Sequence, residues 1–405
     1  MKRAINLGLC AAAIALLLSC GGSSGSSSSG STSTTSGIKE RAFVSNNFQS
    51  QIDIVNAAND TINTTLTTTA TGTTQTTLSN TINSGAGPAQ MVLTADKKLT
   101  LVFDQGSNTI TVIINATEAN AGQIPLPDFT ESFVVAPDSV TVYVAVPNAP
   151  LTGQTAGAVE VLSAATGTLT NTIPVPRARR VVLSHNGNKL LVFADATDQM
   201  WVVDTAAKTA TAVTGFDRPV SGVFSSDDSK AYILSCGPEC GGTAAKVTVL
   251  DMASNTPGAS VAVSAATVGL LDSSGNLYVA GTAAGGGKLD VVNSSSLTVS
   301  KSGVAISDGT HTLMALGSNS KLFVGSRTCS NAIQGCLSIF DTAAGSAVIS
   351  AAGGGDVTGI EPVSDRNVVY VIEGGELVIY DTTTGKPQTT QIDIVGKALD
   401  VKVVD

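Results

Sequence analysis

The chain has 405 residues, 42% hydrophobic, 4% aromatic and 13% charged, so it can bury a large core while staying poor in charge and rich in Thr, Ser, Ala, Gly and Val. That balance favours an all-β protein. The net charge of −9 repels a phosphate backbone, which argues against nucleic acid as a partner.

At the N-terminus Lys2 and Arg3 precede a short apolar run, Ile5 to Leu18, that is too short to span a membrane as a mature helix. Leu17-Leu18-Ser19-Cys20 follows, and the whole resembles a bacterial lipoprotein signal with its lipobox. The small Ser19 suits cleavage and Cys20 would carry the lipid; Cys10 follows the bulky Leu9 and fits poorly. An ordinary secretory signal is the alternative. The resemblance implies membrane attachment through the lipid, and Gly21 in place of an aspartate implies the outer membrane, facing the periplasm or the cell surface. Residues 1–19 are thus expected to be a signal peptide. Residues 20–37 form the lipidated cysteine and a Gly/Ser/Thr-rich tether of roughly 20 Å root-mean-square length, at about 5 Å × √n. The folded domain is expected over 38–405.

From Ile38 onward one unit repeats. A strand ending in Asn, Ser or Asp recurs at Asn56, Asn115, Ser163, Asp204, Asp251, Asn293, Asp341 and Asp381. These eight copies lie about 46 residues apart on average, the period of a four-stranded propeller blade. A second strand precedes each copy, and a turn such as Thr94-Ala95-Asp96 or Ser184-His185-Asn186-Gly187 precedes that. With strands lettered A to D from the axis outward, the end of the chain reads as strands 368–372, 377–380, 392–395 and 399–404. Glu373-Gly374-Gly375-Glu376 forms a tight hairpin between the first two. The last strand is left over. It is expected to become strand A of the first blade, whose other strands span about 41–66, and so to close the ring.

Phe43-Val44-Ser45-Asn46, followed by IDIVNAANDTINTTL, resembles the YVTN β-propeller repeat family, in which an aromatic-Val-small-Asn strand precedes a strand ending in Asp-Thr. The likeness covers 38–405, and the first copy keeps the tetrapeptide best. Members are described as seven-bladed, so seven blades remain the alternative to the eight counted here. Lactonase-like propellers that resemble this family place acidic and basic side chains at the channel mouth.

In such a ring the B–C and D–A loops share one face. The elaborations are expected there: 67–85, 147–157, 236–246, 281–288 and 327–336. Cys236 with Cys240, and Cys329 with Cys336, are expected as two disulfides in an oxidising compartment; a shared zinc site is disfavoured because a whole blade separates the loops. The Asp, Asn or Ser ending each C strand is expected to cap its C–D turn, and His185 to be structural. Glu131, Arg179, Arg218, His311, Asp356 and Lys397 all stand where an A strand enters from the elaborated face, which suggests a mixed polar ring at the mouth of the axial channel. Arg177, Arg179 and Arg180 have the chemistry to receive an anion, although such a run is ordinarily solvated surface. The stretch at 281–289 lacks the P-loop spacing and reads as a hairpin. Neither a nucleophile elbow nor HExxH nor CxxCH is present, and the lone Trp201 argues against a quinoprotein propeller.

The expected function is a non-catalytic binding or scaffold module that meets a protein or small-molecule ligand on the loop face, without cofactor or metal. The alternative is a lactonase-like hydrolase. In the binding reading Arg179, Arg218 and Lys397 contact the ligand; in the enzymatic one Glu131, Arg179, His311 and Asp356 carry the chemistry, with Glu131, His311 and Asp356 as the acid–base groups.

Overall fold

Runs such as Leu190–Phe193 and Val368–Ile372 are apolar at every position and buried throughout. A half-exposed strand would alternate; these do not, because each lies in a sheet covered on both faces by its neighbours. The computed structural model describes residues 35–405 except 63–64, 70–71, 77–79, 195–196, 331–334, 351–353, 364 and 389–391. The expected signal peptide, Cys20 and the expected tether up to residue 34 lie outside the described residues.

Eight antiparallel sheets, each with strands A to D in radial order, form the blades of an all-β propeller. The innermost strands of blades 1 to 8 are Ala398–Val403, Pro88–Leu93, Ser132–Val135, Ala178–Leu183, Pro219–Phe224, Val268–Leu271, Thr310–Leu316 and Val357–Pro362. Blade 1 therefore takes strand A from the end of the chain and strand B, Arg41–Asn46, from its beginning, with Val401 opposite Val44 and Val403 opposite Ala42. Eight apolar clusters fill the eight clefts between consecutive blades, so the closing cleft is packed like the others: Ala42, Val44, Ala398 and Val401 meet Tyr370, Ile372 and Ile379 of blade 8.

The residue ending strand C caps its turn in seven blades. Asp204, Asp251, Asn293, Asp341 and Asp381 each accept two backbone N–H groups from the following turn, and Asn56 and Ser163 accept one. Asn115 departs because it is buried: its side chain binds Thr100 and the Lys97 carbonyl. The Glu373–Glu376 hairpin forms as expected, with Gly374 and Gly375 at φ of 61° and 98°, a positive-φ backbone that glycine holds at no steric cost. The stretch at 281–289 is a strand-to-strand hairpin, with Ala283 opposite Gly286.

Two expectations about the strands need correction. The run 392–395 does not form a D strand. Blade 8 has the two-residue strand Lys386–Pro387, and Ile392 makes only an isolated bridge to Leu377. Proline cannot continue a ladder, and the Ile394 N–H is taken by the Glu376 carboxylate instead. The Thr-rich insertion is not a loop on the elaborated face either. It interrupts the outermost strand of blade 1: Thr61–Ile62 pairs with one end of Gln51–Asn56 and Thr81–Asn83 with the other. Between them Thr65–Thr69 and Gly72–Thr76 pair as a separate hairpin. An outer edge strand has no neighbour beyond it, so an excursion there disturbs no further pairing.

Candidate binding face and axial throat

The two faces of the ring differ. On one side the A–B and C–D turns are short and closed by their own side chains, as where Asp138 caps Val140 and Thr141 and Asp272 caps Ser274 and Asn276. His185 sits on this side, exposed, with Nδ1 at 2.7 Å from Asp228, in the structural role expected.

On the other side long B–C loops are held by acidic residues of D–A loops. Asp217 accepts from the N–H groups of Thr243 (2.8 Å) and Ala244, and Asp308 from the Ser330 N–H (2.8 Å). Asp356 accepts from the Thr328 N–H at 2.7 Å. Both expected disulfides are formed, Cys236–Cys240 and Cys329–Cys336, with Cα separations of 5.9 and 5.6 Å. A shallow cavity of about 160 Å³ between blades 6 and 7 is lined by Gly287, Ile306, Ser307, Asp308, Ser330 and Gly335. Among the described residues no group of three or more His, Cys, Asp or Glu side chains gathers to hold a metal.

Glu239, inside the first disulfide loop, reaches blade 6 and accepts the Thr282 N–H at 2.7 Å. Burial there pushes its carboxyl up to about 7. A folded-state value above the unfolded one means that the stabilising contribution is complete below the ordinary carboxyl range and is lost as pH rises through about 7. The melting stability of the native protein should fall between pH about 4.5 and 7 by about 1–2 kcal/mol more than that of Glu239→Gln, allowing for solvent screening. Parallel pH profiles for the two proteins would refute this assignment.

The six residues placed at the channel mouth separate once the register is known. In six of the eight innermost strands the pairing with strand B slips near the entry, inserting extra residues before the ladder resumes. Alignment through the B strands puts Arg218, Asp356 and Lys397 just before the ladder begins, at the loop. His311 follows Thr310 in the ladder, opposite Ser326, whereas Glu131 and Arg179 stand one residue further, at the bulge level. Glu131 and Arg179, both about half-exposed, form a bidentate pair across blades 3 and 4, with Nη2 to Oε1 at 2.8 Å. Arg218 lies 3.8 Å from Asp198. Lys397 is exposed at the loop.

His311 does not reach the mouth, which corrects the sequence-based placement. It occupies the level of Ala178, Val357 and Ala398, all turned between blades, and is 2% exposed. Its Nε2 lies 2.9 Å from the Ser307 carbonyl, its Nδ1 is buried without a partner, and burial lowers its pKa. Simple alternation along the strand cannot show this, because the bulge shifts the facing by one residue.

Residues that sequence reasoning passed over lie deeper. Arg180, expected to be solvated, is half-buried and its Nη1 donates to the Thr267 carbonyl at 3.3 Å. Arg180 belongs to blade 4 and Thr267 to the entry of blade 6, so the guanidinium passes in front of blade 5, across the axial channel. Around blades 8, 1 and 2 the channel instead carries Glu361, Lys402 and Asp400. Lys402 is 3.4 Å from Glu361 and 3.3 Å from Asp400, and Asp400 also accepts the Met91 N–H at 2.7 Å.

No family model matches the chain, and no curated protein matches its sequence. Solved structures do match. The dihydro-heme d1 dehydrogenase NirN, in complex with DHE, superposes with a TM-score of 0.68 at 14% identity, over 90% of this chain and 75% of that one. Kuenenia stuttgartiensis hydrazine synthase gives 0.54 at 12%, over 75% and 95%. The β-propeller domain of Myceliophteria thermophila Cps50 (Swd1) gives 0.54 at 13%, over 75% and 99%. At such identities the likeness is one of fold, and it agrees with the propeller ring.

Proposed function

We propose that this protein is an exported lipoprotein, anchored through Cys20, whose propeller acts as a non-catalytic binding or scaffold module at the cell envelope. The ligand, a protein or a small molecule, meets the B–C/D–A face. The observation that carries this reading is the asymmetry of the ring: one face is closed by short capped turns, while the other bears loops fixed in advance by two disulfides and by carboxylates from D–A loops. Loops held in one conformation lose less entropy when a ligand binds. The resemblance to lipoprotein signals supports a membrane tether, with the outer membrane as destination and the periplasm or the cell surface as the compartment faced.

The lactonase-like alternative needs Glu131, Arg179, His311 and Asp356 to converge on one point. Glu131 and Arg179 satisfy each other, Asp356 holds a loop N–H, and His311 is buried against a carbonyl. This arrangement favours binding over general acid–base chemistry. The test uses one preparation of the full chain and its Cys20→Ser variant. The native protein should sediment with membranes and the variant should stay soluble, and neither should hydrolyse a lactone above background. A Cys20→Ser protein still in the membrane fraction would sink the tether. Hydrolysis that disappears in Glu131→Gln with the fold intact would establish the enzyme instead.

A further inference from the structure

We infer that the cavity between blades 6 and 7 on the loop face binds a primary alkylammonium group, the end of a lysine side chain or a free alkylamine, with its nitrogen on the Asp308 carboxylate and its carbons against Ile306 and Ile349. The site rests on the binding reading given above and extends it by naming the chemistry of what enters.

The cavity exists because blade 6 presents bare backbone there. Gly287 stands opposite Ile306, and a Cβ on it would strike the Ser307 carbonyl oxygen at 2.0 Å, so glycine is what lets the connection to blade 7 fold this closely over the strand. Beside it Gly286, at φ 107°, has nothing within 4 Å of where a Cβ would stand. Gly335 and Ile349 of blade 7 form the opposite wall. Ser307 is fixed from three sides: its N–H donates to Ser338 Oγ at 2.8 Å, its hydroxyl to the Gly335 carbonyl at 2.9 Å, and its carbonyl meets His311 Nε2 at 2.9 Å. The walls are thus set before a ligand arrives. The volume of about 160 Å³, against the ~30 Å³ share of a water molecule in the liquid, admits the last few atoms of a lysine side chain.

Asp308 supplies the charge. Ser330 donates its N–H to Oδ1 at 2.8 Å and its hydroxyl to Oδ2 at 2.5 Å, which orients the carboxylate, holds its pKa below the ordinary range and leaves each oxygen a further lone pair. Among the described residues no cation pairs with it; the one ring whose charge would be felt, His311, is kept neutral by burial. Lys288 lies between Gly287 and Leu289 in one strand and so points to the other face of blade 6, and Lys301 reaches Gly345 at the far end of blade 7. Residues 331–334, Asn-Ala-Ile-Gln, bring no charge. Ile349, 41% exposed at the rim, offers the apolar surface for a carbon chain. Because both carboxylate oxygens already hold Ser330, a planar guanidinium lacks the free fork it pairs with best, and a point-charge ammonium fits instead.

The experiment is calorimetric titration of the full chain, at neutral pH and low ionic strength, with pentylamine, with pentanol as its uncharged counterpart, and with N-acetyl-lysine methylamide. Saturable binding of at least one amine and none of pentanol is expected. Asp308→Asn, which keeps an acceptor for Ser330, should weaken it about tenfold or more, and Ile349→Ser about threefold. Asp393→Asn, which removes an exposed acid elsewhere, should change it less than about twofold. Tighter binding of the lysine derivative supports the site with a protein partner as the source, and tighter binding of pentylamine supports it with a free amine. Absence of saturable binding, equal binding of pentanol, or affinity unchanged in Asp308→Asn overturns the proposal. None of these results touches the tether or the non-catalytic reading, which Cys20→Ser and the hydrolysis assay test separately. If Asp308→Asn does not fold, the surface change Ile349→Lys decides, since its own ammonium would fill the cavity: pentylamine still bound at native affinity overturns the proposal.

Discussion

Removal of residues 396–405 is expected to abolish the cooperative thermal transition of the domain. The deleted strand pairs along Arg41–Asn46 and buries Ala398, Val401, Val403 and Val404, each at 8% exposure or less. Val401 and Val403 fill the cleft toward blade 8, and Val404 fills the one toward blade 2. Each valine contributes about 1.5–3 kcal/mol of burial, before any ladder hydrogen bonds are counted. The loss thus approaches the whole stability of an ordinary domain, about 5–15 kcal/mol. Deletion also leaves Arg41, which is 8% exposed and bound to Asp405 at 2.6 and 2.7 Å, without that carboxylate. A truncated protein that melts cooperatively at the native temperature would show that the ring does not depend on this strand.

Asp60→Ala is expected to destabilise the ring by about 3 kcal/mol, because it strips the acceptor from a partly buried guanidinium and a fully buried phenol. Asp60, on the C–D turn of blade 1, receives both terminal nitrogens of Arg366 from blade 8 at 2.6 and 2.7 Å, and the Tyr370 hydroxyl at 2.5 Å. Arg366 also donates to the Ala57 carbonyl, so the two ends of the chain are clamped by side chains as well as by the closing strand. Asp60 lies at φ 57°, and Asn tolerates this left-handed backbone better than Ala. Asp60→Asn keeps one acceptor and the turn and should cost about half as much; chemical denaturation of both variants checks the series. A loss below about 1 kcal/mol in Asp60→Ala would remove the clamp from the account of closure.

Both closure contacts join residues more than three hundred positions apart, and they divide what the chain declares from what it conceals. The fold was legible because a propeller is local: seven blades are each four consecutive strands, and the repeat signal, an apolar run ending in Asp, Asn or Ser before a turn, is written eight times. The unpaired strand at the end of the chain pointed to closure for the same reason. The cysteine pairs were legible because four and seven residues separate their members, close enough to fall in one loop. The place of each side chain at the axis was not legible. A one-residue bulge in the innermost strand turns His311 into a cleft and leaves Thr312 at the level of Arg179. The insertion at 63–80 shows the same limit, since only pairing on both sides of it, at Val55 with Ile62 and Asp53 with Thr81, reveals that it leaves the middle of an edge strand. Arg180 looks like one more solvated arginine until the ring brings Thr267, eighty-seven residues further along, across the channel to meet it. Local hydrogen bonding is encoded in neighbouring residues, whereas register and the meeting of distant blades are settled by packing around the whole ring.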